Sequence, residues 1–254
     1  MSYTMFSAFE FKRKDTYIHK LDPRTKMFMT IVFMTVALLF TTIIPLLITF
    51  IITLIPILLA KSVEEWLNSL KGTTILLVFI LVINSFIRDL NFALAMILRL
   101  IVLITAFSVF FLTTHPDDLA QALIQMKVPF DFAFALSMAT RYVPTLAREA
   151  QTIMDAQMSR GLELQKGGLT QKIRNLIPLI IPLIVNSVRR ALSIAESLES
   201  RAFGAIKKRT YLYQLKLKKN DFIFIISLTL YLLLMIYIKI YSPLASWMEW
   251  KFPL

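Results

Sequence analysis

Cysteine is absent from the 254 residues, which excludes a disulfide framework, thiolate-ligated zinc and a thiol nucleophile. Glycine is scarce. Its five positions, Gly72, Gly161, Gly167, Gly168 and Gly204, form no phosphate-cradling loop with a lysine behind it, so the chain does not read as a nucleotide hydrolase. The two histidines, His19 and His115, lie far apart, and no helix carries the paired histidines and glutamate of a zinc protease. A Gly-x-Ser-x-Gly nucleophile elbow is also missing. Charge is thin, at 17% of residues, against roughly 25% in a soluble domain. A polytopic membrane protein is what remains, because 57% of the residues are hydrophobic and they run in long blocks.

The charge that is present is mostly positive, a formal +12. In a soluble protein that excess would raise nucleic acid as a partner. Beside apolar spans it reads as the basic bias of cytoplasmic loops, with the lipid bilayer as the surrounding medium and no nucleic acid. Residues Met1 to Lys26 are polar for too long to be a signal peptide and read as a cytoplasmic lead-in.

Met27 to Ala60 is apolar almost throughout. As one helix it would measure about 50 Å, too long for a core of about 30 Å. Thr41, Thr42 and Pro45 divide it into spans at 27–42 and 44–60. Lys61 to Lys71 reads as a polar connector, Thr73 to Ile87 as the third span, and Phe92 to Leu112 as the fourth. Arg99 in the fourth span either snorkels to the interface or pairs inside the bundle, and snorkelling is the favoured reading. Asp221 to Tyr241 is the fifth span, with Trp247 and Trp250 suited to an interface belt. The spans carry few polar candidates for a carrier site (Arg99, Asn84 and Lys239), and no repeated halves, so secondary transport by this chain alone is poorly supported.

Between the fourth and fifth spans the character changes. From Pro116 to Asn220 there are 16 lysines and arginines against 8 acids, in an amphipathic pattern. Five spans with the N-terminus inside put this basic stretch on the cytoplasmic side. Thr114 or Asp117 is a candidate N-cap there, and His115 with Asp117 and Asp118 reads as a helix start rather than a metal site. Asp118 to Lys127 reads as a short helix. Asp131 to Arg160 and Thr170 to Arg201 read as long ones, kinked at Pro144 and bent or interrupted at Pro178 and Pro182. The apolar piece Leu176 to Val185 is too short to span, so these helices lie against the membrane or partly in it. Arg141, Arg148, Arg189 and Arg190 on them read as headgroup-facing.

Two triplets stand out. Ser159-Arg160-Gly161 and Ser200-Arg201-Ala202 lie 41 positions apart, each closing a long helical pattern. Arginine suits a helix C-terminus, a small neighbour lets a partner's backbone come close, and the guanidinium pairs bidentately with a carboxylate. Gly161 can also supply a left-handed helix cap. Two such devices fit docking onto a pair of similar partners.

The chain resembles the T component, the transmembrane scaffold of energy-coupling factor (ECF) transporters. The resemblance rests on the segment His19-Lys20-Leu21-Asp22-Pro23-Arg24-Thr25-Lys26 before the first span. It rests also on Arg141-Tyr142-Val143-Pro144-Thr145-Leu146, Glu149-Ala150 and Ala156-Gln157-Met158-Ser159-Arg160-Gly161, and on Glu199-Ser200-Arg201-Ala202-Phe203-Gly204. The family favours Ala-Arg-Gly at the triplets. Here serine replaces both first alanines and alanine replaces the second glycine, all small residues.

The resemblance implies an all-α polytopic protein with about five transmembrane helices and long amphipathic coupling helices. Its regions would be a cytoplasmic segment (1–26), a four-helix transmembrane region (27–114), a coupling region docking ATPases (115–219), and a last helix with a tail (220–254). It implies no catalysis and no cofactor in this chain, with ATP and magnesium held by two cytoplasmic ATP-binding-cassette ATPases. Those would dock on Ser159, Arg160, Gly161, Ser200, Arg201 and Ala202, supported by Arg141, Pro144, Glu149, Glu199 and Gly204. A separate small membrane S component would capture a vitamin or transition-metal ion. The short N-terminus without glycine favours a dedicated S component, for a thiamine precursor or another vitamin. An ordinary importer permease lining its own path, and a membrane-bound enzyme acting on lipids or peptides, are the competing classes.

Overall fold

Asp22 starts the first helix. In the computed structural model, which describes residues 16–162, 168–205, 215 and 217–241, its carboxylate accepts the Arg24 backbone N–H at 2.9 Å. Pro23 fills the first helical position, where no N–H is needed. The helices in order are α1 (Pro23–Leu39), α2 (Ile43–Ala60), α3 (Val63–Ile87), α4 (Leu90–Thr113), α5 (Pro116–Gln125), α6 (Phe130–Ser159), α7 (Leu169–Ser200) and α8 (Lys219–Tyr241). No strand occurs among the described residues, so the fold is all-α. Two compact units result, one holding α1–α5 and α8, the other α6 and α7.

In the larger unit α4 is central, packed against α1, α2 and α3, while α8 packs on α1. Buried Ala93, Ala95 and Ala106 on α4 let neighbouring backbones approach. One apolar cluster gathers Met29, Phe33, Ile57, Trp66, Ala106 and Leu228, and a second gathers Val36, Leu46, Val102 and Met235. Hydrogen bonds pin the packing, since polar groups away from water need partners. Trp66 Nε1 donates to Thr105 Oγ1 at 3.1 Å, and the Thr49 and Tyr231 hydroxyls meet at 2.8 Å.

Several expectations are corrected. Lys61 to Lys71 is not a connector, because α3 begins at Val63 and runs unbroken to Ile87. Glu64 and Glu65 suit its first turn. The Ser69, Thr73 and Thr74 hydroxyls return to carbonyls one turn back, so these polar residues are satisfied within the helix. Arg99 takes the alternative reading, a partner inside the bundle. Its Nη2 donates at 2.6 Å to the carbonyl of Phe40, the C-cap of α1, where a helix end leaves acceptors open. The N-cap of α5 is His115, whose Nδ1 accepts the Asp117 N–H at 3.2 Å, rather than Thr114 or Asp117. Helix α7 is not interrupted at Pro178 or Pro182, and α6 runs through Pro144 as one helix.

Five helical segments are long and apolar enough to cross a membrane, as expected, but the set differs. They are α2, α3, α4, α8 and the stretch Ile173–Ser200 of α7. With 17 residues α1 is at the lower limit of length for a span and is not among the five. The uninterrupted course of α7 adds it to the set. Its exposed Ile173, Ile177, Ile180, Ile184 and Val188 recur at helical spacing, the pattern of an amphipathic helix. Lys207, Lys208, Arg209, Trp247 and Trp250 lie outside the described residues.

Candidate functional site

Helices α6 and α7 end in the same way. Arg160 is the C-cap of α6 and Arg201 the C-cap of α7. Past α6, Gly161 takes φ +87°. Its N–H bonds the Met158 carbonyl at 2.9 Å, and the Leu162 N–H bonds the Gln157 carbonyl at 3.0 Å. Past α7, Ala202 takes φ +57°. Its N–H bonds the Glu199 carbonyl at 2.8 Å, and the Phe203 N–H bonds the Leu198 carbonyl at 3.0 Å. Both are Schellman ends, with a left-handed residue satisfying carbonyls that the helix leaves open. Glycine at the third position of the first triplet therefore has a backbone reason, and Ala202 makes the same turn despite its Cβ. Ser159 and Ser200 donate their hydroxyls to their own helices, at the Asp155 and Ser197 carbonyls, both at 2.9 Å. Arg160 and Arg201 are exposed.

The two ends point apart. Phe203, just beyond the second triplet, lies against Phe134 at 5.1 Å and Phe130 at 6.1 Å, beside the first turns of α6. Further back along α7, Asn186 and Arg190 meet Glu149 of α6. Rising numbers on α7 thus meet falling numbers on α6, an antiparallel pairing that sends Arg160 and Arg201 in opposite directions.

The polar contact between the helices is compact. Arg190 Nη2 donates to Glu149 Oε2 at 2.6 Å, and Asn186 Nδ2 donates to Glu149 Oε1 at 2.8 Å. The Arg190 hydrogen bond, then that of Asn186, holds the Glu149 carboxyl below its ordinary pKa. Beside it Ala147, Ala150, Ser187 and Ala191 line a shallow groove whose small side chains let the helices approach. Glu149 lies 11 residues before Arg160, and Arg190 lies 11 before Arg201. The contact is thus about 16 Å of helix from either arginine.

Of the supporting residues, Arg141 is exposed and Pro144 lies inside α6, its carbonyl accepting Arg148 Nε at 3.4 Å. Glu199 contributes a carbonyl to the second Schellman end, and Gly204 takes φ +91°. Arg190, read as headgroup-facing, is instead paired across the helices. Asn186 carried no signal of its own, although its place four residues before Arg190 puts both on one face. Among the described residues no group of three or more His, Cys, Asp and Glu side chains is placed to hold a metal ion.

The profile of the CbiQ family, described as cobalt transport protein, matches residues 14–212. The energy-coupling factor transporter transmembrane protein EcfT of Clostridium kluyveri is 32% identical over 236 residues, 82% of this chain and 87% of the relative. The chain belongs to the CbiQ/EcfT family. EcfT of Thermosediminibacter oceani is 33% identical over 235 residues, 82% of this chain and 88% of the relative. EcfT of Lactococcus lactis is 31% identical over 248 residues, 87% of this chain and 93% of the relative. The chain is thus a multi-pass transmembrane component of the energy-coupling factor type. The profile match takes in the His19–Lys26 segment and both triplets.

Proposed function

We propose that this CbiQ/EcfT-family chain is the non-catalytic scaffold of an ATP-driven importer. Two cytoplasmic ATP-binding-cassette ATPases dock on α6 and α7, one at each arginine triplet. ATP and magnesium belong to those ATPases. A small S component carries the cargo, a vitamin or a transition-metal ion, and is reoriented as the ATPases move the two helices. On this reading α6 and α7 lie on the cytoplasmic side, where their basic residues agree with the inside bias. The apolar stripe of α7 then rests in the interface or against the S component.

The observation that carries the reading is the pair of matching, exposed, arginine-bearing helix ends facing opposite ways. An ordinary permease that lines its own path calls for one such device per chain. Arginine is suited to the docking task, being always charged and forked to meet a carboxylate.

The test is copurification. The chain is co-expressed with candidate ATPases and S components, extracted in detergent and captured by a tag. Recovery of two ATPases and one small membrane protein supports the scaffold. With Arg160→Glu and Arg201→Glu together, the ATPases should be lost while the chain still inserts. Normal cargo uptake by that double variant would sink the proposal.

A further inference from the structure

The segment His19–Lys26 is one of the most distinctive in the chain, and docking at the triplets gives it no task. Its contacts do. Lys26 is 2% exposed, and its Nζ donates to the Thr113 carbonyl at 2.7 Å and to the His19 carbonyl at 3.2 Å. Thr113 is the last residue of α4, where the chain sets out toward α5, α6 and α7. Asp221 is also 2% exposed, in the first turn of α8, where the chain has come back. Its Oδ1 accepts the Asp22 N–H at 3.0 Å and its Oδ2 accepts the Lys218 N–H at 2.8 Å. Asp22 is held in turn by Arg24, whose Nε and Nη2 reach its two carboxylate oxygens at 3.1 and 3.0 Å. One short segment therefore grips both the departing and the returning chain.

A second contact closes the same gap directly. Gln125 Nε2, at the end of α5, donates to the Leu215 carbonyl at 3.2 Å. These two residues are the near neighbours of the points where the unit of α6 and α7 begins and ends, at 127 and 214.

Charged groups are costly to bury and are kept there only when fully hydrogen-bonded, and a buried polar set that is satisfied in this way can serve to fix one arrangement. We propose that Asp22, Lys26 and Asp221, with Gln125, form the anchor of the α6–α7 region. They hold its two roots at a fixed separation, so that displacement of α6 and α7 reaches the transmembrane helices instead of being absorbed by slack at the roots. This rests on the scaffold reading above, and it names the residues through which that scaffold is tethered.

The experiment uses the complete complex with its ATPases and S component in liposomes, measuring ATP hydrolysed and cargo accumulated together. Loss of fold lowers both and leaves their ratio alone. Loss of anchorage lowers the ratio. With Asp221→Asn, ATPase recovery and hydrolysis should stay near the parent values while cargo per ATP falls by about tenfold. The chain has no cysteine, so Gln125→Cys and Leu215→Cys can be joined in the same variant by a short bis-maleimide, which adds one thiol at each end. That link should restore most of the ratio. An unchanged ratio in Asp221→Asn, or a link that forms and restores nothing, overturns the proposal. Should Asp221→Asn not accumulate, Gln125→Ala alters only an exposed side chain and must itself lower the ratio by about twofold. A parent chain that binds no ATPase would defeat the scaffold reading instead, before any ratio is measured.

Discussion

Gly161 and Ala202, on two different helices, make the same left-handed turn and return their N–H groups to the same relative carbonyl, at Met158 and Glu199. The match is in the backbone, and it comes with an inequality, because alanine enters that region against its Cβ and glycine does not.

Ala202→Gly should therefore tighten the end of α7 by about 1 kcal/mol. Gly161→Ala should loosen the end of α6 by a similar amount, through backbone strain alone, since nothing lies within 4 Å of an added Cβ there. Hydrogen exchange at the Phe203 and Leu162 amides, which close the two turns, reads both effects. Equal exchange before and after substitution would contradict them.

Because the two arginine ends face apart, each should serve a separate partner. Arg160→Glu alone should leave complexes carrying one ATPase, and so should Arg201→Glu. Intact-complex mass measurement counts the subunits. Loss of both ATPases from either single variant would mean that the ends act as one site.

The contact of Glu149 with Arg190 and Asn186 should be sensitive to acid. Its carboxyl is held below its ordinary pKa. The contact's contribution is therefore fully present above the unfolded carboxylate value, and is lost as pH falls through the lower, folded one. Spin labels at Gln151→Cys and Ser193→Cys should report a broadened separation in acid. With Glu149→Gln the distribution should already be broad at neutral pH and respond little to further acid. A parent distribution that does not change with acid counts against the pair.

Arg99 should matter to α1 more than to any interface. Arg99→Met removes the donor on the Phe40 carbonyl and should destabilise the purified chain by about 1–3 kcal/mol. Thermal unfolding in detergent measures it. Unaltered unfolding would indicate that the carbonyl finds another donor.

Helix type and rough number were legible because apolar runs without charge leave few alternatives in a membrane. Sequence misleads where a polar residue reads as facing outward and the fold turns it inward. Lys61 to Lys71 looks like a loop until Trp66 is seen buried on α4 and the hydroxyls of Ser69 and Thr73 are seen folded back onto their own helix. Arg99 and Arg190 both look like headgroup ligands, and both instead meet partners far along the chain, at Phe40 and Glu149. Spacing within a helix says which residues share a face. It does not say what the facing helix brings. The triplets are legible because their signal is local, an arginine between small residues at the end of a helical pattern. Nothing local showed that Ala202 shares the left-handed turn expected for Gly161.

The placing of the Glu149–Arg190 contact has a mechanical consequence. It sits 11 residues short of each arginine, so if the proposed ATPases load the two ends, the pair of helices would act as a beam held near its middle with two equal arms. Loads applied at the two ends act at the same radius, and neither has leverage over the other. Pushes in opposite senses add as torque, while pushes in the same sense only translate the beam. On the proposed docking, the scaffold would answer to the relative motion of its two ATPases and not to the order in which they move.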